Sequence, residues 1–399
     1  MKLEKPDILH ITYDYPMQFT PHKTHNIKKL CDYTSDAFNN VIIALNRTTR
    51  LMEQKAIDKN VVAMNIFSMP LSLFYKNTIW RTTKKIMHVF HEKIVSINSI
   101  NLIHAHKLSY EGAIAMKLSK YYEIPYVITI RQSDIKMWEC RRDLRNHYRK
   151  VLNYAKKVYV ISPWMKKRVL NWFGSENHCS EKNCAGKIQI LGNIVDGIKL
   201  NSVNEPLQNK NTDNKRLLSV FKLRKNYIKI KNVKKLLKAV KLANKTDKNM
   251  GLDIVGSGSA VSIVKAMVRR LGLNEIVEVK DFNSENVMSN YEGGYSAFIM
   301  PSRRETFGVA YIEALVSGLP VIYSKDTGID GFFSEDIGIR VDSRSVEMIA
   351  DAILEVLKRN GDYKANVQEF LKAGKLNIFS EKNVTGIYVN SIKGILNNA

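Results

Sequence analysis

Two carboxylates, Glu305 and Glu313, stand eight residues apart in the stretch PSRRETFGVAYIEALVSGLPVI, residues 301–322. Ahead of it, SAFIM reads as a buried strand, and PSRRETFG as the loop leaving its carboxyl end. Val309–Ser317 reads as a helix stopped by Gly318 and Pro320, and VIYS as the next strand. A helix start offers free backbone N–H groups and a positive dipole end, which suit phosphate. Gly308 lets a ligand come close to the backbone. Glu313 follows Val309 by four positions and precedes Val316 by three, on the side of Ile312, so it falls on or beside the core-facing stripe. A carboxylate there is costly without donors, and ligand hydroxyls are one source of them. The alternative is structural: Glu313 paired with Arg303 or Arg304, and Glu305 complementing the helix dipole. The stretch alone leaves both readings open.

The elements that must hold this loop alternate from end to end of the chain. DILHIT, NVIIAL, VVAMNIF, LIHAH, YVITI, KVYVIS and KIQILG read as strands in the first half. RLLSVF, GLDIVG, EIVEVK, SAFIMPS, PVIYS and GIRVD follow in the second. Helical spacing fills stretches such as Tyr110–Tyr122, Val233–Asn244 and Ser345–Arg359. The expected fold is α/β, two doubly wound Rossmann-like domains facing across a cleft. The polar stretch NSVNEPLQNKNTDNK, Asn201–Lys215, marks the join, giving a first domain over 1–199 and a second over 200–379.

The 399 residues suffice for two such domains, and 45% of them are hydrophobic. No apolar run is long enough for a membrane span and no apolar signal segment opens the chain, so the expected location is the cytoplasm. The four cysteines, Cys31, Cys140, Cys179 and Cys184, are too few for a disulfide framework. HCSEKNC, residues 178–184, has too few ligands for a structural zinc and reads as a polar loop. The net charge of +24 points to an anionic partner, or to lysines spread over a solvated surface.

Glu-x7-Glu with Phe-Gly after the first Glu, a preceding Pro-Ser and a Gly-x-Pro-Val exit resembles the donor-site motif of glycosyltransferase family 4, the group 1 glycosyltransferases of the GT-B fold. VYVISPWMKKRVLNWFG followed by KIQILGNIVDGIKL is similar to the segment closing that family's first domain, with Asn193 and Asp196 at its Asn-x-x-Asp. GLDIVGSGS resembles its Gly-x-Gly turn, and Glu381–Leu396 its final helix, expected to pack back on the first domain over 380–399. The resemblance implies a retaining glycosyltransferase with a nucleotide-sugar donor, a UDP-sugar ahead of a GDP-sugar. It implies neither metal nor further cofactor, because lysines and helix dipoles would meet the leaving diphosphate. Glu305 would contact donor sugar hydroxyls, Glu313 the ribose, and the backbone of Thr306, Phe307, Gly308 and Val309 the sugar and diphosphate. Phe282, near VEVKDFN, would lie close to the base. The acceptor would be a glycan or a lipid-linked sugar, in bacterial cell-surface polysaccharide synthesis.

The chain departs from that pattern at three places. SVFKLRKNYIKIKN puts Lys222 at the family's arginine position; Lys231 best matches its lysine, against Arg224, Lys225 and Lys229. Lysine is a point charge and meets a diphosphate less specifically than arginine. VITIRQSDI places Arg131 and Gln132 where the family has His-Gly. Arginine cannot shuttle a proton at neutral pH, but it can pair with phosphate or orient an acceptor. His106 in LIHAH is then the candidate base, unless it and His104 are structural hydrogen bonders. In the first loop His22, Lys23 and Thr24 replace the family's glycines.

Two basic helices complete the reading. KNTIWRTTKKIMHVFHEKIVSI, with Ile79, Ile86, Met87, Phe90 and Ile94 on one side and Trp80 at the boundary, reads either as an interfacial helix on an anionic membrane or as a surface helix packed on the sheet. MWECRRDLRNHYRKVLNYAKK reads as a second helix, without a nucleic-acid motif, so no nucleic-acid partner is expected. The rival classes are an inactive GT-B subunit of another transferase, motivated by Arg131, and a basic binding protein on the same scaffold. Salt-resistant nucleotide-sugar binding would separate the last from the enzyme.

Overall fold

The computed structural model describes residues 5–16, 25–48, 55–58, 60–67, 75–92, 95–173, 186–195, 215–283, 288–291, 294–334 and 336–398. His22, Lys23, Thr24, His178, Cys179, Cys184, Asp196 and nearly all of the polar join lie outside them.

The chain forms two compact units: Met1–Ile161 with Lys166–Ile194 and Glu381–Ala399, and Ser162–Met165 with Val195–Ser380. The first carries an eight-stranded sheet. Its strands are β1 Asp7–Thr12, β2 Asn39–Thr48, β3 Lys55–Asp58, β4 Val61–Phe67, β5 Ile100–Ala105, β6 Tyr126–Ile130, β7 Lys157–Val160 and β8 Ile188–Ile190. The order is β3-β4-β2-β1-β5-β6-β7-β8, parallel except for the edge pair β3–β4. The four-residue β3 is too short to show an alternating pattern and went unrecognised in the sequence. β6 is buried along its whole length, as a central parallel strand covered on both faces must be.

The second unit carries β9 Arg216–Val220, β10 Gly251–Val255, β11 Val277–Lys280, β12 Ala297–Met300, β13 Val321–Ser324 and β14 Gly338–Val341, in the all-parallel order β11-β10-β9-β12-β13-β14. In each sheet the chain winds outward from one strand and returns to its other side. The reversal lies between β1 and β5 in the first and between β9 and β12 in the second. Open α/β sheets bind ligands at such reversals, beyond the carboxyl ends of the strands.

The helix Glu381–Leu396 belongs to the first unit. It buries Val384, Tyr388 and Ile392 in a cluster with Ile8, Phe38 and Leu102. The helix Tyr75–His91 turns Ile79, Ile86, Val89 and Phe90 inward. Its apolar side is therefore used by the protein itself, and Trp80 is left 50% exposed with the Lys84 ammonium 4.1 Å from its ring centre. The second basic helix is corrected to two, Gln132–Cys140 and Arg145–Tyr154, broken by a tight turn over Arg142–Leu144.

Candidate active site

In the second unit the loop after β12 leads to the helix Val309–Val316. Glu305 sits in that loop, and its backbone is tied down: its N–H donates to Thr327 Oγ1 at 2.5 Å, and its carbonyl accepts from the Thr327 hydroxyl at 2.7 Å and the Gly328 N–H at 2.8 Å. One carboxylate oxygen accepts from the Thr306 N–H at 3.0 Å. The other pairs with the Lys231 ammonium, the two side chains being 16% and 13% exposed.

Lys231 reaches this place because the loop after β9 is laced to the loop after β12. The Arg303 N–H donates to the Ile230 carbonyl at 2.8 Å, and the Asn232 side chain donates to the carbonyls of Pro301 at 3.1 Å and Ser343 at 2.7 Å. Lys222, Arg224, Lys225 and Lys229 are exposed. Glycine is required at Gly308 by the chain itself: its φ is +87°, and a Cβ there would lie 2.5 Å from the Tyr311 ring and 3.3 Å from Glu305 Cγ. The glycines of GLDIVGSGS do a similar job. A Cβ on Gly256 would strike the Phe221 carbonyl at 2.1 Å, so that turn packs against the loop carrying Lys222.

Glu313 is buried, at 8% exposure, and the Tyr291 hydroxyl donates to it at 2.6 Å. Burial first, and the Glu313 carboxylate second, push the Tyr291 pKa well up, which keeps the phenol a donor. No local sequence signal named Tyr291; its pairing with Glu313 is set by tertiary packing. Phe307 is buried against Phe332 and Phe379, so only its backbone is left for a ligand. Thr306 and Val309 are half-buried at the helix start. Phe282 is half-buried beyond β11, the edge strand.

In the first unit His10, His104 and His106 gather at the carboxyl ends of β1 and β5, all buried. His10 Nδ1 lies 2.9 Å from His106 Nε2, and His10 Nε2 lies 3.0 Å from Asn40 Oδ1. His104 meets the Tyr388 hydroxyl and Thr129 Oγ1, each at 2.8 Å. Burial lowers the His10 pKa to about 4 and pushes those of His104 and His106 well down, so all three are neutral at neutral pH. These histidines are the one group among the described residues with the types to hold a metal ion. Five of their six ring nitrogens are already hydrogen-bonded, which disfavours coordination. Arg131 caps the helix Gln132–Cys140, its N–H donating to Asp134 at 2.9 Å. His106 and Arg131 line one open cavity.

With this geometry in place, similarity to known proteins can be stated. Residues 204–372 match the family model of glycosyl transferases group 1. The chain is similar to that family over this stretch. An uncharacterized glycosyltransferase of Methanocaldococcus jannaschii is 21% identical over 301 residues, 74% of this chain and 76% of that one. Sucrose-phosphate synthase from Thermosynechococcus elongatus superposes with a TM-score of 0.71 at 15% identity, covering 99% of this chain and 100% of that one. The Anabaena HepE protein, solved with UDP and glucose, superposes with a TM-score of 0.63 at 13% identity, covering 98% and 100%. At these identities the structural likeness establishes the fold, which is GT-B.

Proposed function

We propose that the protein is a retaining, metal-independent glycosyltransferase that takes a sugar from a nucleotide sugar, by preference a UDP-sugar, and passes it to a glycan or lipid-linked acceptor in bacterial cell-surface polysaccharide synthesis. The observation that carries this reading is the pairing of Lys231 with Glu305, the first carboxylate of the Glu-x7-Glu motif, at the reversal between β9 and β12. Glu305 holds the donor sugar and Glu313 the ribose. The N–H groups from Thr306 to Val309, with Lys231 and Lys222, meet the diphosphate. Negative charge grows on the diphosphate as it departs, and donors already fixed in place stabilise it without reorganisation. The first unit takes the acceptor, with Arg131 and His106 nearest to it. The bound UDP of the Anabaena protein favours the uridine nucleotide. Exposed Trp80, Arg81, Lys84 and Lys85 favour a peripheral seat on the anionic inner face of the plasma membrane.

Thermal stabilisation by UDP, GDP, ADP and CMP, with and without EDTA and beside Glu313→Ala, tests the donor half. A ligand at a hundred times its Kd adds about 2.7 kcal/mol. UDP is expected to stabilise the protein, to do so in EDTA, and to lose its effect in the variant. Failure of every nucleotide to stabilise a folded protein would remove the enzyme reading. It would favour the inactive-subunit reading, which Arg131 in place of the family's histidine motivates. Transfer from a labelled UDP-sugar would dispose of that alternative.

A further inference from the structure

The turn after β13 grips the loop that carries Glu305, and it lies outside the donor contacts named above. The Thr327 hydroxyl closes a ring on the Glu305 main chain. It accepts from the Glu305 N–H at 2.5 Å and donates to the Glu305 carbonyl at 2.7 Å. The Gly328 N–H donates to the same carbonyl at 2.8 Å. Both polar groups of the Glu305 backbone are thus held by one turn from another part of the chain. That grip fixes the origin of the side chain, while the Thr306 N–H and the Lys231 ammonium hold its two oxygens. Displacing such a group by about 1 Å is enough to cost up to roughly 10²-fold in rate.

Thr327 is itself buried and held in place. The Asp330 N–H donates to its carbonyl at 3.2 Å. The Asp330 carboxylate accepts from the Asp326 N–H at 2.6 Å and receives both prongs of the Arg340 guanidinium, from β14, at 2.8 and 3.0 Å. A forked pair fixes a carboxylate in direction as well as distance. Among the described residues three non-glycines have positive φ: Glu123, Asn232 and Asp326, at +59°, +60° and +57°. Asn232 follows Lys231, and Asp326 precedes Thr327. Two of the three therefore flank the partners of Glu305. A left-handed backbone persists at such residues only where the surroundings over-determine it, and it gathers at functional sites.

We propose that Thr327 is a positioning residue of the donor site, supported by Asp330 and Arg340, and that the turn after β13 sets where the Glu305 carboxylate meets the donor sugar. Thr327 acts through Glu305, so it governs the hold on the sugar and leaves the hold on the nucleotide alone. The inference rests on the donor-site reading above and adds to it the residues that separate sugar binding from nucleotide binding.

Calorimetric binding of UDP, UDP-glucose, UDP-galactose and UDP-N-acetylglucosamine to the full chain tests it. Thr327→Val removes the hydroxyl and nearly keeps the shape. It should weaken the tightest of the three sugar conjugates by about tenfold or more, and UDP by less than about twofold. Thr327→Ser should restore the wild-type ratio. On top of Glu305→Gln, Thr327→Val should add no further selective loss, because both act through one contact. A merely structural residue would weaken UDP and the sugar conjugate together, and its effect would add to that of Glu305→Gln. Either result overturns the proposal, as do wild-type affinities in Thr327→Val. Arg340→Gln, at a half-exposed position, should weaken the sugar conjugate selectively by about threefold, and it decides the matter if Thr327→Val does not fold. A wild type that binds none of the four ligands removes the donor-site reading and the proposal with it. Wild-type binding beside an unselective variant removes the positioning role alone.

Discussion

Polar atoms are paired at the carboxyl ends of β9 and β12, and several are left unpaired beyond β5 and β6. In the second unit the Glu305 carboxylate has the Lys231 ammonium and a backbone N–H, and Glu313 has the Tyr291 hydroxyl. In the first unit Arg131 Nε and His106 Nδ1 are buried without a hydrogen-bond partner among the described residues, with Asp14, Glu111 and Asp134 near the guanidinium, and the histidines are held neutral by burial. A preformed pair rigidifies its loops and is exchanged for a ligand at small net cost. An unpaired buried group is destabilising until a ligand arrives. The two reversal points of one chain therefore keep opposite reserves: the second unit stores a finished geometry, and the first stores unsatisfied binding groups.

The largest expected effect separates the two reserves by kinetics. Glu305→Gln, measured with a UDP-sugar, should lower kcat by about 10²–10³-fold, the usual cost of removing one preorganised transition-state contact. Arg131→Ala should act mainly on the acceptor KM. Equal losses of kcat in both variants would break the comparison, because Arg131 would then belong to the reacting centre.

Acid should weaken the first unit. The folded pKa of His10, about 4, lies below its ordinary value of 6.5, so between those values the unfolded chain binds the extra proton and stability falls with pH. His104 and His106 act in the same direction. Glu111 opposes them: burial raises its pKa to about 7 from 4.5, so the folded chain binds the proton first and gains as pH falls. His147 is lowered as well and Asp134 raised, so four lowered histidines stand against two raised carboxyls, and a net loss of stability is expected as pH falls from about 6 to 5. Urea unfolding followed across that range should show it, and Glu111→Gln should steepen it. A flat profile would mean that the histidines are not the neutral network described.

The matched site was the more legible one in the sequence. Glu305, Phe307, Gly308 and Glu313 lie within one strand-loop-helix unit, where spacing alone restricts geometry. Lys231 stood out less, among Arg224, Lys225 and Lys229, because the lacing of Asn232 to Pro301 spans 69 residues. What Gly308 and Gly256 meet inside the chain was not legible for the same reason: Tyr311 and the Phe221 backbone come near only in the folded chain. In the first unit His106 was singled out by its place at a strand end. Its orientation depends on His10, 96 residues away, and through it on Asn40. Such a hydrogen-bond chain leaves no mark in local composition.

The smallest expected effect asks whether the two reserves are energetically separate. The Tyr388 hydroxyl, on the helix Glu381–Leu396, meets His104 Nδ1. Tyr388→Phe keeps the ring that packs near Phe38 and leaves one buried imidazole nitrogen unsatisfied. The cost should be about 1 kcal/mol, read as a lowered urea midpoint with an unchanged slope. UDP stabilisation should be unaltered, because groups without shared partners add independently. A weakened UDP response in this variant would show that the C-terminal helix couples the two ends. The contrast between a finished site and a waiting one would then describe two states of a single device.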